Sequence, residues 1–359
     1  MKVKQPLLWV AGIFAIVFFV IFLGWEEITL ALHRADSQTM AGLALLQVAT
    51  LGMTAYQWHF LLRKMGQQLP FFRVFGIYLA GGFVESVTPS VKLGGEAAKL
   101  YLFRRTTSLS HRQLAGAFLA HKYISLFPFV ILCAPFITIA ALRREIPVLA
   151  YLSFAALGVF FGLIFWMLHR RPQDDLSENK PQEKAQNLDG NLSLFRSNKI
   201  LSLAAGKLNK LISFLNDAAR HSRLLTISAE RGGLLFISFL VWGLYPLKVY
   251  LVTSMLGYEV AFGTVALATY TAYLVSMLPL FPGGLGTFEG TMALMLSLGG
   301  ISPAEGLAAA LLTRSITYWF PLFLSAGVTA GLLWKSSSED DEAALVIPPG
   351  KLLRGLMSK

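Results

Sequence analysis

Charge is what this sequence has least of: 14% of its 359 residues are Asp, Glu, Lys or Arg, against 55% hydrophobic. A soluble domain of this length carries roughly a quarter charged residues, so an ordinary soluble globule is excluded. Cysteine is almost missing. Cys133 stands alone, which excludes a disulfide framework and a cysteine-based metal site. The histidines show no H-E-x-x-H spacing, and neither GxSxG nor a glycine loop ending in G-K-[ST] occurs. Metalloprotease, serine hydrolase and nucleotide-hydrolase readings therefore lack their residues. No catalytic residue, metal or cofactor is expected. The net charge of +11 raises nucleic acid as a partner, but the placement of that charge, described below, points to loops facing a cytoplasm and to no nucleic acid.

What the chain does have is long uncharged stretches. Pro6–Gly24, Thr39–Leu62, Ile146–Leu168, Val260–Phe288 and Ser315–Trp334 contain no Asp, Glu, Lys or Arg, and about 20 apolar residues suffice to cross a bilayer. The first stretch is too long for a signal-peptide core and runs into Trp25-Glu26-Glu27 rather than a small-residue cleavage site, so an uncleaved helix is expected. Gln113–Leu142, interrupted by Lys122, Gly232–Gly257, interrupted by Lys248, and Ser302–Trp334, carrying Glu305 and Arg314, complete six crossings.

Two further segments start as apolar helices and then break. Val74–Arg105 breaks at Val87-Thr88-Pro89-Ser90, before Leu93-Gly94-Gly95-Glu96; Val260–Leu298 breaks at Leu280-Phe281-Pro282-Gly283-Gly284-Leu285-Gly286, before Glu289. Pro and Gly free backbone groups that lipid cannot satisfy. Read as re-entrant hairpins with a cytoplasmic N-terminus, the two segments leave 1–5, 63–73, 92–112, 169–231 and 335–359 on the cytoplasmic side. Those parts hold 25 of the 31 Lys and Arg residues, as the positive-inside tendency requires. Eight full spans is the alternative. The two breaks are spaced 192–193 residues apart, and the offset continues from Lys122 to Arg314. We therefore expect an all-α polytopic membrane protein of about six spans and two broken-helix hairpins in inverted repeats, an arrangement typical of transporters. The membrane domain is 1–335, with repeat 1 about 39–168, repeat 2 about 232–334, a cytoplasmic linker 169–231 and a cytoplasmic tail 336–359. Within the linker, 169–198 is polar, and 200–221 reads as an amphipathic helix, either on the cytoplasmic membrane surface or packed on the protein.

Charge inside a membrane is expensive and is a functional hypothesis by default. Glu85, Lys92, Glu96, Lys99, Lys122, Lys248, Glu289 and Arg314 are so placed. They form either internal ion pairs, such as Lys122–Glu96 and Arg314–Glu289, or a cavity whose cations take a phosphate and whose carboxylates take an ammonium. Pro89, Gly94, Gly95, Pro282, Gly283, Gly284 and Gly286 are the candidate backbone and hinge positions, where the glycine breaks and the helix starts after them offer free N–H groups.

At these residues the sequence resembles the flippase-like transmembrane domain family, which includes the membrane half of lysylphosphatidylglycerol synthase/flippases. Two patches carry the resemblance: Pro89 to Glu96, running on to Arg104-Arg105, and Leu278 to Glu289 with Arg314 and Tyr318-Trp319 downstream. His121-Lys122 stands where the family often has an acidic residue followed by Arg, and the aminoacyl-transferase domain is missing. The resemblance implies lipid translocation in a bacterial plasma membrane, and the charge placement puts both termini on the cytoplasmic side. The substrate expected is a zwitterionic or aminoacylated phospholipid, its headgroup held by Glu96, Lys122, Glu289, Arg314, Lys92, Lys248 and Glu85. The alternative is a membrane enzyme or accessory subunit handling a polyprenyl phosphate or lipid-linked sugar. Partners are the phospholipid headgroup and membrane lipids, and a homo-oligomer is compatible with this reading.

Overall fold

The computed structural model describes residues 26, 29, 33–88, 93–142, scattered positions between 151 and 165, and 199–226, 230–278 and 281–338. The expected span Pro6–Gly24, much of Ile146–Leu168, the polar stretch 169–198 and the tail after 338 lie outside the described residues. Those residues contain helices and no strand: α1 Ser37–Lys64, α2 Phe71–Val87, α3 Leu93–Thr106, α4 His111–Leu142, α5 Lys199–Thr226, α6 Arg231–Met255, α7 Phe262–Ser276, α8 Thr287–Ser297, α9 Pro303–Arg314 and α10 Phe320–Ser338. The protein is an all-α membrane protein.

Four helical segments among the described residues are long and apolar enough to cross a bilayer: α1, α4, α6 and the run Pro303–Leu332 formed by α9 and α10. Each coincides with a charge-poor stretch of the sequence. Side-chain caps set the starts of α1 and α9. The Asp36 carboxylate accepts from Thr39 N and Oγ1 at 2.8 and 2.9 Å, which holds its pKa below the usual value. Ser302 and Glu305 form a reciprocal capping box at the head of α9, where Pro303 supplies no N–H and needs none. Polar side chains tie the long helices together. Gln57 on α1 donates to Leu234 O and Ser238 Oγ on α6, and Trp242 Nε1 on α6 donates to Ser125 O on α4 at 2.7 Å. In a lipid solvent such bonds contribute where the hydrophobic effect between helices does not.

The two expected breaks are present. Helix α2 has 17 residues and α7 has 15, about 25 and 22 Å long at 1.5 Å per residue, short of a bilayer core of about 30 Å. Each stops and is followed by a helix that packs back against it, α3 on α2 and α8 on α7. The halves interlock: α10 lies against α2, α7 lies against α4, and α1 packs on α6.

Close glycine contacts close the hairpins. A Cβ on Gly95 would sit 2.4 Å from Glu85 Cβ and 2.6 Å from Gly81 O; one on Gly306 of α9 would sit 2.8 Å from Ala293 O on α8. These are backbone contacts that cannot give way cheaply. Gly95→Ala is therefore expected to destabilise the purified protein by about 1–3 kcal/mol, measured as a lowered thermal midpoint, whereas Gly243→Ala, with open space at its Cβ, should not lower it.

Helix α5 settles one alternative left open by the linker sequence. It packs along α4. A Cβ on Gly116 would meet His221 Cβ at 2.5 Å and Ala218 O at 2.9 Å, and Ala218, Ala219, Ser222 and Leu225 are buried. Arg112 on α4 donates to Asp217 on α5. Leu224 remains exposed.

Candidate functional site

The charges that the sequence places at membrane depth come together in three groups. The first is built on α3 and α4. Glu96 sits in the first turn of α3, where a negative charge faces the positive end of the helix dipole. Its Oε1 accepts from Lys99 Nζ, one turn along the same helix, and from Lys122 Nζ on α4, both at 2.8 Å. Its Oε2 is buried and has no hydrogen-bond partner among the described residues. Lys99 lies over the Tyr78 ring on α2 and Lys122 over Phe118. His121 is buried beside them with neither ring nitrogen bonded, its face stacked on Trp58 at a centroid distance of 4.8 Å. Lys122 alone of these keeps an appreciable exposure, 20% of its side chain.

The second group is built on the break between α7 and α8. The chain turns through a 3₁₀ turn, Pro282–Gly284, with Gly283, Gly284 and Gly286 all at positive φ, a region that side chains with a Cβ rarely enter. Glu289, fully buried, uses both oxygens: Oε2 accepts from Gly286 N at 2.7 Å and Oε1 from Arg314 Nε at 3.0 Å. Arg314 also donates from Nη2 to Gly283 O, and its guanidinium lies 4.6 and 4.5 Å from the centroids of the Phe288 and Tyr318 rings. The ion-pair reading of the sequence thus describes both Lys122–Glu96 and Arg314–Glu289.

The third group is Lys248, which is buried at the crossing of α6 and α1. Its Nζ donates to Gln47 Oε1 at 2.6 Å and Thr50 Oγ1 at 2.8 Å and lies over the Tyr245 ring. Its hydrogen-bond partners are neutral. Glu85 stands at the end of α2 against Gly95. Gly94 and Gly95 are buried at the start of α3. Lys92 and Pro89 lie outside the described residues.

Where the two hairpins end, they meet. The Pro282–Gly284 turn packs against α2. Tyr318 bridges the two: its ring occupies the space over Gly283, where a Cβ would lie 2.3 Å from it, and its hydroxyl donates to Ser86 O on α2 at 3.1 Å. Tyr318 belongs to a π-helical turn, Ser315–Trp319, that joins α9 to α10 directly after Arg314; such turns recur at functional sites. Removing only the hydroxyl, in Tyr318→Phe, is expected to lower stability by about 1 kcal/mol, read as a thermal shift.

The model of the lysylphosphatidylglycerol synthase transmembrane region matches residues 9–325. The chain belongs to that family. The match takes in all three charge groups and both breaks. A UPF0104 membrane protein of Methanothermobacter thermautotrophicus is 24% identical over 92% of this chain and 95% of its own length. A UPF0104 membrane protein of Pyrococcus horikoshii is 23% identical over 89% of this chain and 95% of its own. Membrane residence agrees with these relatives. They are archaeal, so they give the bacterial expectation no support.

Two groups were not legible as site residues. Gln47 and Thr50 are isolated polar residues in an apolar helix, and only their coincidence with the intramembrane Lys248 could have drawn them in. Nor did His121, beside Lys122, carry any signal of its own. Lys99, which the sequence places among the charges at membrane depth, is buried one turn from Glu96.

Proposed function

We propose that this protein moves a phospholipid between the two leaflets of its membrane, and that the headgroup is zwitterionic or aminoacylated. The observation that carries this reading is the meeting of the two broken hairpins at buried charge. Irregular backbone at membrane depth is tolerated only where protein or a wet cavity covers it, and broken helices facing each other are how transporters build a mid-membrane site. Two ammonium groups suit a phosphate. A carboxylate with a bare oxygen, Glu96, suits a headgroup amine. Family membership supports a lipid-related role. A polyprenyl phosphate offers the phosphate but no amine, so the bare carboxylate oxygen favours the phospholipid over that alternative.

The test is headgroup selectivity in reconstituted vesicles, wild type against Glu96→Gln. Wild type is expected to move phosphatidylethanolamine faster than phosphatidylglycerol, and Glu96→Gln to reduce that ratio about tenfold, the effect of one charge-assisted hydrogen bond. Equal rates for both lipids in the wild type, with no change in the variant, would sink the amine assignment.

A further inference from the structure

The two hairpins are alike in sequence but differ in how much bonding capacity they leave over. In the second, Glu289 is fully buried with both oxygens occupied, and Arg314 is committed to Glu289 and to Gly283 O between two aromatic rings. A ligand could reach the Glu289 carboxylate only by breaking those bonds. In the first, one carboxylate oxygen serves both Lys99 and Lys122, while Glu96 Oε2 and both nitrogens of His121 are buried without partners among the described residues. Unmade bonds on buried polar atoms carry the full desolvation penalty, so this cluster gains from a ligand that offers them donors and acceptors. His121 stands in the position matching Thr313 of the second half, so the imidazole has no counterpart there. Lys122 supplies the partly exposed edge.

We propose that the headgroup is bound by the first hairpin's cluster alone, on Glu96, Lys99, His121 and Lys122, and that Arg314–Glu289 is a latch holding the second hairpin's turn. The inference rests on the transport reading for the identity of the ligand. Lys99 and Lys122 take the phosphate. Glu96 Oε2 and an imidazole nitrogen, which can accept or donate, take the hydrogen-bonding groups beyond it, and His121 thereby sets headgroup preference. Arg314 and Glu289 are positioning residues.

The experiment is a thermal-shift titration of the detergent-purified full chain with dihexanoyl phosphatidylethanolamine. His121→Phe, which keeps a ring against Trp58, and Lys122→Gln are each expected to weaken half-saturation about tenfold, the loss of one such bond. The double variant Arg314→Met/Glu289→Met is expected to stay within about twofold of wild type in half-saturation, whatever its starting midpoint, because no bond to the ligand is lost. Failure of the wild type to bind, unchanged binding in both first-hairpin variants, or equal weakening by the double variant would overturn the assignment. A wild type that binds but does not move lipid between leaflets would instead defeat the transport reading and leave this one standing.

Discussion

Glu289→Ala is expected to unfold the purified protein under conditions where wild type is stable, lowering its stability by about 3–5 kcal/mol. The reason is the burial of both partners. Glu289 is fully buried and the Arg314 side chain is 6% exposed, so truncating the carboxylate leaves a guanidinium out of water with half its bonding removed. It also removes the acceptor for Gly286 N, the cap of α8. Arg314→Met made together with Glu289→Met eliminates the unpaired charge, and apolar replacement of a buried pair is often neutral. The double variant should therefore regain most of the loss. Chemical or thermal denaturation of the single and double variants checks this. A double variant no more stable than Glu289→Ala would mean that the pair is not what holds this turn.

Gly284→Ala is expected to have the other large effect, about 2–5 kcal/mol from left-handed backbone strain and overpacking together. Gly284 lies at φ +69, and its added Cβ would sit 2.6 Å from Ser276 Cβ and 3.1 Å from Ser276 O. Ser276 is the last residue of α7, so neither side of the contact can rotate away. The turn must open, and with it the Arg314 bond to Gly283 O and the packing of Tyr318 on Gly283. Circular dichroism should show helix retained while the thermal midpoint falls. An unchanged midpoint would show that the turn adapts, and that its glycines are not fixed by packing.

The long spans and both breaks were legible because the physical signals are strong. Charge within an apolar stretch is rare, and Pro or Gly within one leaves backbone groups to satisfy. Pairing was harder to read. The offset linking Glu96–Lys122 to Glu289–Arg314 suggested two equivalent pairs, and their difference depends on atoms: Gly286 N reaches Glu289, while Glu96 Oε2 has no donor. The π turn at Ser315–Trp319 left no pattern in the sequence, since it depends on how α9 and α10 meet the hairpin turn. Internal Pro128, Pro135 and Pro246 did not end their helices, because neighbouring helices at membrane depth can re-satisfy the freed groups. The amphipathic pattern of α5 fitted both a lipid surface and a protein surface, and only the close approach at Gly116 distinguishes them.

Transport itself is most directly tested by leaflet exchange in vesicles reconstituted with the full chain and a trace of fluorescent phosphatidylethanolamine, read by adding a membrane-impermeant quencher. Vesicles containing the wild type are expected to lose nearly all fluorescence, because inner-leaflet lipid is carried out to the quencher. Vesicles containing Lys122→Gln should lose it much more slowly, and empty vesicles only the outer-leaflet portion. Wild-type vesicles that stop at the outer-leaflet portion, as empty ones do, would contradict lipid translocation.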